Sequence, residues 1–129
     1  DKLTKVPARK KVRPYDRAIK LYRSGRYKKA RPALEKLLKS RKVRGNRKAR
    51  IYHNLGMIAY MDKRYREATV LFSKLFTKYP KAPYNPNGLY FLGKSFLKLG
   101  QKENAKGIFK ELIKKYPDSK KVKDAKKYL

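Results

Sequence analysis

"IYHNLGMIAYMDKRYREATVLFSKLFTKYP", residues 51–80, holds two helical periodicities joined by a short polar run. Tyr52, Leu55, Gly56 and Ala59 fall on one helix face, and Ala68, Phe72, Leu75 and Phe76 on another. "MDKRY" between them reads as a turn. From Gly56, the next small residue at the crossing is Ala68, then come Phe72, Leu75 and Pro80. Small residues let two helices approach closely, and large apolar ones fill the space above and below. The stretch is a helical hairpin.

The same spacing repeats along the chain. From Gly93 it lands on Ala105, Phe109, Leu112 and Pro117, each of matching type. From Ala18 it gives Ala30, Leu34 and Leu37, with Lys42 where the proline would fall. The repeat interval is 38 and then 37 residues. Gly25 and Gly100 suit the hairpin turns because glycine readily takes a positive φ, and Tyr27 and Tyr65 are placed to pack back on the hairpins. Pro80 and Pro117 end second helices, while Pro83 and Pro86 stiffen the connection "YPKAPYNPN". The expected fold is all-α, a right-handed solenoid of three hairpins over about 14–40, 47–79 and 86–116. Val122, Ala125 and Leu129 then form a stripe for a capping helix over 119–129, which a solenoid needs to cover its apolar end. The opening "DKLTKVPARKKVRP" has six basic residues and two prolines. It reads as an extended or disordered basic arm over residues 1–13.

This pattern resembles the tetratricopeptide repeat (TPR) family over about residues 14–117, most closely in the middle repeat. The first repeat departs from it, lacking an aromatic-rich first helix and the closing proline. "YPKAPYNPNGLYFLGKSFLKLG" followed by "AKGIFKELIKKYPDSKKVKDAKKYL" also resembles, in linker style, the C-terminal TPR domain of the Tol–Pal-associated YbgF-type bacterial family. The resemblance implies a non-enzymatic protein-binding scaffold in a bacterial envelope complex, with the periplasm favoured over the cytoplasm.

Composition adds a dominant charge: 39 Lys+Arg against 9 Asp+Glu, a formal +30. Residues 1–50 carry 21 of the basic side chains and 3 of the acidic ones. Such a field attracts polyanions and acidic proteins and speaks to partners rather than fold. The absence of cysteine excludes disulfides and thiolate metal sites. No run approaches the roughly 18 apolar residues of a membrane span. Because the sequence opens at Asp1 rather than Met, an upstream segment is expected.

Nothing in the pattern points to catalysis or to a cofactor. His53 is the only histidine, the nine acids are scattered, and no glycine-rich phosphate loop occurs. The candidate site is instead the concave surface lined by the first helix of each hairpin. If Tyr52, Leu55, Gly56 and Ala59 face the hairpin interior, then Arg50, His53, Asn54, Met57 and Tyr60 face the groove. The third hairpin contributes Asn87, Tyr90, Phe91, Lys94 and Lys98, and the first Tyr22 and Arg23, with Asp16 and Ile19 beside them. Aromatic, amide and cationic side chains together suit an extended acidic protein segment or peptide. The TPR subclass that clamps a C-terminal carboxylate uses Lys and Asn at set groove positions. Only Asn54 matches, since Tyr15, Ile19, Asn87 and Phe91 fill the others, so that mode is disfavoured. The densest basic stretch is "KSRKVRGNRKAR", with Lys39, Arg41, Lys42, Arg44, Arg47, Lys48 and Arg50. As an inter-hairpin loop it offers an alternative, salt-sensitive grip on nucleic acid or an anionic polymer.

Overall fold

The computed structural model describes residues 12–129. All but the last two residues of the expected N-terminal arm therefore lie outside the described residues. Seven helices follow in order: α1 (Pro14–Arg23), α2 (Tyr27–Leu38), α3 (Asn46–Met61), α4 (Tyr65–Lys78), α5 (Asn85–Lys98), α6 (Lys102–Lys115) and α7 (Lys121–Lys126). Among the described residues there is no strand. Each helix packs on the next in sequence, and α3 also meets α5 and α5 meets α7. The chain is a helical-hairpin solenoid, with the first helices of successive hairpins side by side and α7 in the next such place.

The three hairpin turns are built alike. Arg26, Arg64 and Gln101 each donate their backbone N–H to a carbonyl five residues back, at Leu21, Ala59 and Phe96, at 2.8–2.9 Å. Gly25, Lys63 and Gly100 donate three residues back to Tyr22, Tyr60 and Leu97. This bond pair satisfies the last carbonyls of the first helix and requires a left-handed residue between. Gly25 (φ 77°) and Gly100 (φ 75°) supply it without strain, and the middle turn takes it with Lys63 (φ 60°). That position is the one turn where the conformation was not legible, because lysine seldom adopts it.

Packing at the helix crossings follows one rule with two solutions. A Cβ added to Gly56 would meet Phe72 at 2.6 Å, and one added to Gly93 would meet Phe109 at 2.5 Å. The first hairpin holds Ala18 and Leu34 at the equivalent positions, both fully buried. A smaller second-helix side chain leaves room for a methyl on the first. Ala30, Ala68 and Ala105 complete the crossings and are all fully buried.

The joints between hairpins differ more. After α4, Ala82 N–H donates to Tyr79 C=O at 3.0 Å and Asn85 N–H to Ala82 C=O at 3.2 Å. The buried Asn85 side chain adds a bond from Nδ2 to Tyr79 C=O at 2.7 Å. Ala82 itself packs with Ala49, Tyr52 and Leu75. After α6 the backbone bonds recur, Ser119 to Tyr116 and Val122 to Ser119, and Tyr116 Oη donates back to Pro80 C=O at 3.1 Å. The first joint has no such pattern. It is anchored by buried Val43 and turned into α3 by Gly45 at φ 59°. The capping helix is shorter than the sequence stripe implies: Val122 and Ala125 are buried, whereas Leu129 lies past the end of α7 and is 51% exposed.

Candidate functional site

On the face shared by α3, α5 and α7, aromatic rings and ammonium groups form one cluster. Tyr60 meets Phe91 edge-on with ring centroids 5.0 Å apart, and Phe91 meets Tyr90 at 5.2 Å. Lys121 Nζ sits over both α5 rings, 4.8 Å from Tyr90 and 5.4 Å from Phe91. Lys94 Nζ donates to Tyr128 Oη at 2.6 Å. The Tyr128 ring is in turn stacked on Phe109 at 5.0 Å. The bond to Tyr128 raises the Lys94 pKa and lowers that of the Tyr128 phenol. Neither lysine has a carboxylate partner among the described residues, where every ion pair involves other cations.

Beside that cluster runs a polar chain. In the tautomer that satisfies both ring nitrogens, His53 Nδ1–H donates to Asn54 Oδ1 at 3.0 Å, and Asn87 Nδ2 donates to His53 Nε2 at 2.7 Å. The same Asn87 amide lies 3.8 Å from Met57 sulfur. His53 is partly buried against Phe72 and Tyr84. Burial pushes its pKa below 6.5; the Asn54 bond opposes the shift and Arg50 adds to it. Burial therefore favours the neutral imidazole, whose one donor and one acceptor nitrogen are both engaged within the chain. Asn54 lies beneath the surface rather than on it: it is 3% exposed, and its Nδ2 has no partner among the described residues. A position that periodicity alone turns toward the groove is thus buried.

The first-hairpin candidates stand apart from both groups. Tyr22 packs on Tyr27 at 5.6 Å, and burial, helped by Tyr27, pushes its phenol up to about 12. Arg23 is exposed at the end of α1, as is Lys98 at the end of α5. Arg50 is partly buried and its charge lies near Tyr15, which also carries Arg47 over its ring at 5.5 Å.

The basic stretch is not wholly a loop. Lys39, Arg41, Lys42 and Arg44 precede α3, but Arg47, Lys48 and Arg50 belong to its first turns. Two of the seven cations brace the backbone: Lys48 Nζ donates to Ser40 C=O and Arg44 Nε to Arg41 C=O. Lys39, Arg41 and Lys42 are exposed, with no side-chain partner among the described residues. Sequence reasoning missed Tyr128 and Lys121, which close the α5 end of the face. The repeat spacing stops at Pro117, so nothing in it marked which residues of α7 and of the segment after it turn inward.

A tetratricopeptide repeat profile matches residues 15–86, and a second matches residues 89–119. The chain belongs to the tetratricopeptide repeat family. Repeats of this family generally mediate protein–protein interaction and are typically non-enzymatic scaffolds. No curated protein matches the chain. Among the described residues no group of three or more His, Asp or Glu could hold a metal ion, and no helix is long and apolar enough to cross a membrane.

Proposed function

We propose that the TPR face formed by α3, α5 and α7, extended by α1, binds an extended acidic segment of a protein partner. The observation that carries this reading is the pair Lys94 and Lys121, held against Tyr60, Tyr90, Phe91 and Tyr128 without a carboxylate of their own. A cation above an aromatic wall is attracted to it by about 0.5–1 kcal/mol when exposed, and still presents N–H donors outward. A partner carboxylate would complete the charge, while apolar side chains on either side would meet the rings. Met57, His53 and Asn87 continue the face with a neutral acceptor-donor chain, and Arg50 places a further cation toward α1. The +30 charge would steer encounter with an acidic partner. The linker style favours a scaffold in a bacterial envelope complex.

The alternative, a grip on nucleic acid or anionic polymer, rests on exposed Lys39, Arg41 and Lys42. One comparison separates the two. Wild-type protein, Lys94→Glu/Lys121→Glu and Lys39→Glu/Arg41→Glu/Lys42→Glu serve as baits against native extract at low and high salt. A discrete protein held at high salt by wild type and the loop variant, but lost by the α5–α7 variant, is expected. Nucleic acid as the sole bound species, lost with the loop variant and at high salt, would favour the alternative.

A further inference from the structure

A cleft of about 810 Å³ opens between the turns of the first and second hairpins. It shares none of the residues assigned to the α3–α5–α7 face. Its wall includes Ile58, Tyr27 and the side chain of Met61. Met61 is 44% exposed, one of only four large apolar side chains exposed among the described residues. An apolar wall with a few fixed polar groups, in a volume of this order, is the usual form of a binding pocket.

The rim supplies the chemistry. Arg26, Lys28 and Lys29 line it from the first turn and the start of α2, and none has an ion-pair partner among the described residues. The other cations on the cleft are already neutralised. Arg64 is bound by Asp62 at 2.7 Å and by Glu67, and Arg31 by Glu35 at 2.9 Å and Glu67 at 3.6 Å. Those pairs tie α2 to α4 and leave the only cleft carboxylate, Asp62, engaged. The second helices of the other hairpins each open with an acid in the first turn, Glu67 in α4 and Glu103 in α6, whereas the first turn of α2 holds no acid. The cleft thus joins an exposed apolar wall to three uncompensated positive charges.

We propose that this cleft seats an apolar side chain flanked by carboxylates, from an acidic segment of a protein partner. Charge complementarity selects that occupant. A second copy of this +30 chain would bring like charge to the rim. A nucleic acid could meet the rim cations through phosphates but would leave the apolar wall unfilled. Tyr27, the one aromatic on that wall, is already engaged with Tyr22 at 5.6 Å and offers no open ring for a base. The carboxylates meet Arg26, Lys28 and Lys29, and the apolar group displaces water from Met61 and Ile58.

The test uses two fluorescein-labelled peptides of Glu and Asp, one with a central Leu-Leu pair and one with Ser-Ser there, read by fluorescence anisotropy. Met61→Lys adds charge while removing the apolar wall. It is expected to weaken the Leu-Leu peptide about fivefold or more and to leave the Ser-Ser peptide unchanged or tighter. Lys28→Glu/Lys29→Glu is expected to weaken the Leu-Leu peptide about tenfold or more beyond Lys123→Glu/Lys126→Glu, which makes the same charge change on α7. Amide shifts on titration should centre on Gly25 and Met61 rather than Tyr60 and Lys94. Equal or tighter Leu-Leu binding by Met61→Lys, an equal loss in the α7 control, or an oligonucleotide that depends on Lys28 and Lys29 while the peptide does not, would each overturn the assignment.

Discussion

The first hairpin and the two that follow solve the same packing problem with different materials. In the second and third, glycine faces phenylalanine across the crossing, and rings from neighbouring helices extend the core outward: Phe109 stacks on Tyr128 with planes 14° apart. In the first, alanine faces leucine, α1 has 10 residues against 16 in α3 and 14 in α5, and Pro32 lies inside α2. That proline removes a helical donor in the second turn. The first hairpin also carries the unpaired cations of the cleft, and its second helix opens without an acid, whereas the later ones open with Glu67 and Glu103 in the first turn. One repeat pattern therefore yields an aromatic, tightly crossed body and a leaner, more charged leading unit. The difference lies in the choice of partner at the crossing, not in the turn, which is common to all three.

The comparison can be broken most directly at the second-helix core residue. Phe109→Ala should cost about 3–5 kcal/mol and Leu34→Ala about 2–4 kcal/mol, read from urea melts. A larger loss at Leu34 would reverse the ranking of the two halves. At the crossing itself, Gly56→Ala should cost about 1–2 kcal/mol, since overpacking against Phe72 exceeds the gain in helix propensity. In a Phe72→Leu background, which imports the first hairpin's pairing, that cost should vanish or change sign. A double-mutant cycle measures the coupling, and additive effects would show that the two solutions are not linked by the ring.

His53 sharpens the contrast through pH, since the first hairpin has no titrating counterpart near neutrality. Its folded pKa lies below 6.5, so the unfolded chain binds the proton first as pH falls. Stability is then full above about pH 7 and declines as pH drops from there toward the folded pKa, by at most about 1.4 kcal/mol per pH unit. His53→Gln should flatten that slope between pH 7 and 5. The smallest effect is expected at the middle turn. Lys63→Gly should stabilise by about 0.5 kcal/mol, because relief of the left-handed strain slightly exceeds glycine's added unfolded-state entropy. Gly25→Lys, the converse change, should destabilise.

Most of the fold was legible because its determinants are local and periodic. Gly56, Ala68, Phe72 and Leu75 recur at fixed spacing and occupy the positions that spacing implies. The site was legible only in part. Tyr60, Tyr90, Phe91 and Lys94 come together, but Asn54 is buried. Side-chain periodicity within one helix does not record how near the next helix lies. Lys121 and Tyr128 belong to a segment past the last repeat, and the Arg26–Lys29 rim becomes visible only when two turns are seen to flank one cleft.

The joint after α4 has a consequence for assembly of the chain as a lattice. Tyr79 (φ −130°, ψ 62°) and Tyr116 (φ −130°, ψ 58°) share one backbone geometry, and the two following bonds recur with the same residue offset. Residues 80–116 are thus a translational unit of a one-dimensional crystal, bounded on both sides by the same junction. A second copy of that unit, placed after Tyr116, would enter and leave through geometry the chain already uses. The two junctions are interchangeable in backbone geometry, and α7 stands where the first helix of a further unit would begin.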